Sequence, residues 1–266
     1  MSTADITSSI QYKNDYERLL TSYVSELIKR SKKDKRDLFA ELRGFSIETV
    51  KKHDIFYIGE MVEMLIPSYM NNLSKLGVIS ETNKKPIFHN RWAIPIKTPT
   101  GLVQNLVGYS PDANERYIYG TAKYYRRRET VYGLENLQLA YDMGYAILTE
   151  GITDAIRLRD LGYPNSFATC GTWKSDFVVR QLNRCRYGVI RIPDRDNAGL
   201  RAVKGWEFNR HITLLVNLQY KDIDEMCKVG VENQQWVKDY LADCINWITG
   251  LEHHGKPCVC EQVTIM

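Results

Sequence analysis

The residues that could do chemistry are acidic, and they come in three short words. Glu150-Gly151-Ile152-Thr153-Asp154 closes an apolar run on a carboxylate, Pro193-Asp194-Arg195-Asp196 closes another, and Lys221-Asp222-Ile223-Asp224-Glu225 supplies a third group. Carboxylates gathered within about 4 Å repel by roughly 4 kcal/mol per pair at an effective dielectric of about 20, so such a cluster makes sense around a cation. Hard oxygen donors favour magnesium or manganese, with water and substrate phosphates completing the shell. The chemistry implied is phosphoryl transfer at a divalent-metal site. Each word alone has a plainer reading. Glu-Gly ends many strands, Asp154 suits the first turn of a helix, and Asp-x-Asp, Asp222 or Asp224 can cap the helix that follows. Their joint placement at the ends of apolar runs is what points to function.

The elements that must position them can be read in order. Ala146 to Thr149 and Tyr187 to Ile192 are apolar and strand-prone, Asp154 to Leu161 reads as a helix stopped at Gly162, Ser166 to Cys170 as a short strand, and Phe177 to Leu182 as a helix. Ala198 to Asn209 then reads as a helix and His211 to Val216 as a strand, before a closing helix over Gln234 to Trp247. Strands alternating with helices at this spacing imply a parallel sheet, and ligands of such sheets bind beyond the carboxyl ends of the strands. All three acidic words fall at that edge.

Upstream, residues 1–11 are expected to be loose. Tyr16, Leu19, Leu20, Tyr23, Val24, Leu27 and Ile28 recur at helical spacing and mark an amphipathic helix. From Arg43 to Gly77 short helices are expected, with Pro67 starting or breaking one. Trp92 to Ile96, Leu102 to Tyr109 and Tyr117 to Tyr119 read as strands of a smaller lobe, with a turn at Pro99-Thr100-Gly101.

Two basic stretches stand out. Lys29 to Arg36 is the densest positive run, and its Lys32, Lys33 and Lys35 are candidates for phosphate contacts that give affinity without sequence choice. Lys123-Tyr124-Tyr125-Arg126-Arg127-Arg128 interleaves cations with aromatics, a mixture suited to single strands whose bases stack while guanidiniums take phosphates. The whole chain is otherwise ordinary: 266 residues, 44% hydrophobic, 26% charged, net charge +4. No run approaches a membrane span and the first residues are polar, so a soluble, cytoplasmic protein with no membrane partner is expected. Six scattered cysteines form no Cys-x-x-Cys pairs, and no zinc is expected.

Glu150 to Ala155, Ala168-Thr169-Cys170-Gly171-Thr172 and Asp194 to Gly199 resemble the TOPRIM domain shared by topoisomerases and DnaG-type primases. Arg43-Gly44-Phe45-Ser46-Ile47-Glu48-Thr49-Val50 looks like the segment that opens the primase RNA-polymerase core. Arg91-Trp92-Ala93-Ile94-Pro95-Ile96, Tyr132-Gly133-Leu134-Glu135 and Lys221 to Glu225 fall where primases carry similar words. The chain departs from that pattern at Tyr109-Ser110, where the family usually has an arginine after the second strand, and at Arg116 to Tyr119.

The resemblance implies an α/β protein: an α+β N-terminal lobe, a TOPRIM Rossmann-like parallel sheet and a short C-terminal helical segment. The expected divisions are residues 1–42 (helical, basic), 43–140 (N-terminal lobe), 141–230 (TOPRIM) and 231–266 (closing helix and tail). It implies a DNA primase that joins ribonucleoside triphosphates into short RNA primers on a single-stranded DNA template, with two or more magnesium or manganese ions. Glu150, Asp194 and Asp196 are the expected catalytic residues, joined by Asp222 and Asp224 as metal ligands, with Asp154 orienting the cluster from behind. Arg43, Arg91, Arg116, Lys123, Arg126, Arg127 and Arg128 are expected to touch nucleotide or template. No Cys/His cluster precedes Arg43, so the reading is of a free-standing core of the kind bacteriophages encode, and a replicative helicase and a separate zinc-ribbon protein are the further partners to look for. The alternatives are a TOPRIM-type metal-dependent nuclease and a non-catalytic binder of single-stranded DNA or a replication protein. A topoisomerase fits less well, since no second domain is large enough for a strand-passage gate.

Overall fold

The structure, a computed structural model, describes residues 3–60, 64–80, 82, 85–120, 130–170, 176–204, 208–216 and 219–250. The chain divides into two compact units, residues 1–130 and 131–266. The segment 131–140 therefore goes with the second unit, and the N-terminal helices with the first.

The first unit is built on a four-stranded antiparallel sheet in the order β1-β2-β3-β4: Phe56–Ile58, Arg91–Lys97, Val103–Tyr109 and Tyr117–Tyr119. Helix α1 spans Thr3–Arg30, so the expectation of a loose N-terminus is corrected: the helix begins near the first residue. Its apolar stripe, Tyr16, Leu20, Tyr23, Val24 and Leu27, packs against Phe56, Ile58, Ala93, Val103 and Leu106 on one sheet face. Polar tips within that core are satisfied locally. Tyr23 OH donates to Met64 O at 3.0 Å, and Thr21 Oγ1 accepts from Val103 N–H at 2.7 Å.

Helices α2 (Lys33–Arg43) and α3 (Ile47–Lys52) follow. Gly44, at φ 62°, closes α2 in the left-handed conformation that only glycine adopts readily, and Ser46 caps α3 by accepting from Thr49 N–H. Strand β1 lies where only short helices were expected. Three residues carry too little periodicity to be recognised, and β1 exists because it pairs with β2 from Phe56↔Ala93 to Ile58↔Arg91.

The second unit is a parallel sheet in the order β6-β5-β7-β8: β5 Tyr145–Thr149, β6 Ser166–Ala168, β7 Gly188–Ile192 and β8 His211–Thr213. Strands β5 and β7 are buried along their full length, which is why, apart from Arg191 bonded to Thr213 Oγ1, they read as apolar runs rather than alternating ones. The helices are α4 (Leu137–Met143), α5 (Ile152–Asp160), α6 (Asp176–Leu182), α7 (Asn197–Lys204), α8 (Ile223–Lys228) and α9 (Val231–Thr249). Side chains of α9, including Val237, Leu241, Cys244 and Ile248, share a core with Ile147, Ile190 and Ile212 of the sheet.

The Arg159 side chain helps hold the connection that enters this unit, beside a main-chain bridge between Tyr132 and Ala168 and a bond from Asn136 Nδ2 to Pro164 O. Arg159 donates to Glu135 Oε1 at 2.7 Å, to Ser166 O at 3.1 Å and to Gly133 O at 3.3 Å, and its guanidinium lies 4.9 Å from the Tyr132 ring centre. A Cβ at Gly133 would collide with that guanidinium, so the Tyr132-Gly133-Leu134-Glu135 word is a packing device. Among the described residues no helix is long and apolar enough to cross a membrane.

Candidate active site

In the order β6-β5-β7-β8 the chain leaves β5 toward one side and returns on the other, so the switch point lies between β5 and β7. In open sheets of this kind the loops diverge at the switch point and leave a crevice outside the strand ends. Thr149 pairs with Ile192 in register, so the two strands finish together, and the next carboxylates along each, Glu150 and Asp194, emerge side by side. A Cβ on Gly199 would come 2.4 Å from Asp194 O and 2.5 Å from Glu150 Oε1. That proximity explains why α7 starts with glycine in its first turn.

The strand ends set each acid in a different environment. Asp196 Oδ1 accepts from Ala198 N–H at 2.9 Å and Gly199 N–H at 2.8 Å, capping α7. Those N–H groups, led by Gly199, hold its carboxyl below the usual aspartate range. Burial and then the neighbouring Asp194 push Glu150 up to about 7. Burial likewise raises Asp194, against the pull of Lys221. Asp154 is raised well above the ordinary value, first by burial and then by Asp222, Asp224 and Asp194.

Asp222 caps α8 by accepting from Glu225 N–H at 2.7 Å, while Glu225 Oε2 reaches back to Lys221 N–H at 2.7 Å. Arg195 N–H donates to Lys221 O at 2.7 Å and Arg195 Nη1 to Val216 O at 2.6 Å, which ties the loop after β7 to the segment after β8.

Asp224 points the other way, into the protein. Arg157 Nε and Nη2 donate to its Oδ1 at 3.1 and 3.0 Å, and Lys228 Nζ lies 3.5 Å from Oδ2. Asp224 and Arg157 are each 1% exposed, and Asp224 N–H donates to Asp154 Oδ1 at 2.9 Å. The structure thus brings Glu150, Asp194, Asp196 and Asp222 to one edge, with Asp154 and Asp224 buried behind it.

The donor chemistry of that edge suits a cation. Its groups are carboxylate oxygens, burial keeps Glu150 and Asp194 short of compensation, and Glu150 Oε1 is buried with no hydrogen-bond partner. The positive charge found there is Lys221 Nζ, 3.3 Å from Asp194 Oδ2 and 3.4 Å from Asp196 Oδ2. No three acidic, histidine or cysteine side chains among the described residues sit at ligand spacing. Lys221, Arg157 and Gly199 had not been singled out from sequence. Lys221 was visible only as the first letter of an acidic word, and Arg157 as one of two arginines on a helix that also carries Asp154 and Asp160.

The basic candidates lie in the first unit. Lys32 and Lys33 are exposed at the start of α2. Lys35 Nζ lies 5.1 Å from the Tyr57 ring centre. The Arg43 guanidinium lies 5.1 Å from the Tyr109 ring centre, and its Nη1 donates to Tyr109 OH at 3.2 Å. Arg91 Nη1 donates to Glu115 O at 2.9 Å and Arg116 O at 3.2 Å, and Arg116 is exposed.

A feature not foreseen runs between them. Tyr57, Trp92, Tyr109 and Tyr117 are directly opposed across β1, β2, β3 and β4, with successive ring centres 5.3, 6.3 and 5.1 Å apart. Phe39 of α2 packs on the middle of this row. Lys123, Arg126, Arg127 and Arg128 lie outside the described residues.

Together these observations define a class: an acidic TOPRIM-type sheet edge in one unit and an antiparallel lobe in the other, the fold of the DnaG-type primase catalytic core. Comparison with known proteins agrees. The chain is 27% identical over 229 residues to a DNA primase of Thermotoga maritima and 26% identical over 214 residues to a DNA primase of Aquifex aeolicus, covering 79% and 76% of this chain. It spans 40% and 42% of the length of those relatives. A solved DnaG primase catalytic domain bound to single-stranded DNA superposes with a TM-score of 0.69 at 18% identity, covering 92% of this chain and 86% of that one. No family model matches the chain.

Proposed function

We propose that the chain is a primase core that synthesises short RNA primers on single-stranded DNA in the cytoplasm, by divalent-metal-dependent nucleotidyl transfer. The observation that carries this reading is the set of carboxylates converging at the β5/β7 switch point of a DnaG-type fold. Glu150, Asp194, Asp196 and Asp222 would hold magnesium or manganese, two or more ions in all. When bound, such ions neutralise triphosphate charge and lower the pKa of an attacking hydroxyl.

The protein's own contribution is to bring those acids to one sheet edge. The switch point fixes Glu150 and Asp194, the start of α7 fixes Asp196, and the start of α8 fixes Asp222. Asp154 orients the cluster from behind by holding the Asp224 main chain. Asp224 itself, assigned to the metal from sequence, is better read as an anchor for α8, because Arg157 and Lys228 already occupy its oxygens. Glu150, beside Asp194 at the strand ends, is the candidate either to hold an ion or to accept the proton of the 3′-hydroxyl that attacks the α-phosphorus.

Template and nucleotide contacts fall to Lys32, Lys33, Lys35, Arg43, Arg91 and Arg116, with Lys123, Arg126, Arg127 and Arg128. A replicative helicase and a separate zinc-ribbon protein are the protein partners this reading leaves room for. The test is incubation with single-stranded DNA, labelled ribonucleoside triphosphates and manganese. Short oligoribonucleotides are expected. Degraded template without product would favour a nuclease instead.

A further inference from the structure

Resting on the metal reading above, the position of Lys221 carries an inference of its own. Its ammonium bridges Asp194 and Asp196 at 3.3 and 3.4 Å, while its backbone is held from both sides by Arg195 N–H and Glu225 Oε2. The main chain at Lys221 is therefore fixed independently of the side chain. That side chain is 55% exposed, so the ammonium can leave the carboxylates for water without unpacking anything.

The compensation is nonetheless incomplete. One positive charge serves two carboxylates, and Glu150 Oε1 is left buried with no partner. Asp224, behind the edge, has Arg157 and Lys228 and makes no claim on Lys221.

We propose that Lys221 is a built-in counter-ion of the acidic edge: it holds Asp194 and Asp196 in place while no metal is bound, and an arriving divalent cation displaces it. A compact ammonium is a strongly hydrated point charge on a flexible stem, well suited to exchange in this way. Metal binding then carries the cost of breaking two partly solvated ion pairs. Pairs of that kind are individually weak, and two of them correspond to about a five- to tenfold reduction in metal affinity.

The experiment titrates manganese alone into the wild-type chain, Lys221→Met and Lys221→Arg by calorimetry, with thermal unfolding of each protein in the presence of a chelator. Lys221→Met keeps the main-chain bonds and the stem but loses the charge. It is expected to bind manganese about five- to tenfold more tightly than wild type and to unfold at a lower temperature when metal-free. Lys221→Arg restores a cation and is expected to return both values toward wild type. Equal or weaker binding by Lys221→Met overturns the counter-ion role while leaving the metal site standing. Absence of manganese binding by all three chains, each folded by circular dichroism, overturns the metal reading of the edge and the counter-ion role with it.

Discussion

Asp224→Ala separates an anchor from a ligand. The substitution removes the acceptor of two charge-assisted hydrogen bonds, at 3.1 and 3.0 Å, and leaves the Arg157 guanidinium 1% exposed without its carboxylate. Removing one partner of a buried ion pair costs about 3–5 kcal/mol, because the stranded charge keeps its desolvation penalty. Lys228 adds a contact at 3.5 Å from the surface side, and Asp160, 3.9 Å from Arg157, recovers little of that cost. We therefore expect Asp224→Ala to lose about 3–5 kcal/mol in urea unfolding followed by far-ultraviolet circular dichroism. The double variant Arg157→Met/Asp224→Leu, which removes both charges and keeps the volume, is expected to recover most of that loss. A single variant within about 1 kcal/mol of wild type would refute the reasoning, since surface-like pairs cost no more than that. Combined with abolished manganese binding, that outcome would return Asp224 to the ligand set.

Three further outcomes are expected, two at the acidic edge and one in the first unit. Glu150 sits at about 7 in the fold against an ordinary 4.5, so near neutral pH the folded chain holds a proton that the unfolded chain has released. Its favourable contribution is complete below the ordinary value and is lost as pH rises through the folded one. The full shift corresponds to roughly 3 kcal/mol, reduced to about 1–2 kcal/mol by solvent screening at this partly exposed group, so metal-free Glu150→Gln should be that much more stable than wild type at pH 8 and the two should converge at pH 4. Gly199→Ala, ordinarily favourable in a helix, should cost about 1–3 kcal/mol here because its Cβ meets Asp194 O and Glu150 Oε1, and it should weaken manganese binding in calorimetry. Replacing Lys32, Lys33 and Lys35 together by Gln should flatten the salt dependence of single-stranded DNA binding by about 0.7 in log–log slope for each phosphate no longer neutralised. An unchanged slope in a fluorescence-anisotropy titration would remove that run from the DNA surface.

The second unit was largely legible because its strands are buried on both faces. Largely apolar runs such as Ala146 to Thr149 and Gly188 to Ile192, the latter broken by Arg191, end on carboxylates, and the strand–helix alternation fixes which edge those acids share. The helical stripe from Tyr16 to Ile28 was equally plain. What escaped notice depends on pairings between residues far apart in sequence. Strand β1 is three residues long and is defined by its partner, β2. The aromatic row from Tyr57 to Tyr117 exists only once four strands are in register. Periodicity alone could not show that Asp224 turns inward, since that depends on Arg157, a basic residue buried on a helix that otherwise looks conventional. The N-terminal residues, polar enough to read as loose, are carried into helix α1 by the packed turns that follow them.

The proposed nucleotidyl transfer rests on the carboxylates at the β5/β7 edge. The most direct measurement compares wild type with Asp194→Asn for de novo synthesis of labelled oligoribonucleotides on single-stranded DNA with manganese, alongside the DNA affinity of each. Oligoribonucleotides from wild type, and none from a variant that binds DNA equally well, is the predicted result. Undiminished synthesis by Asp194→Asn would contradict it.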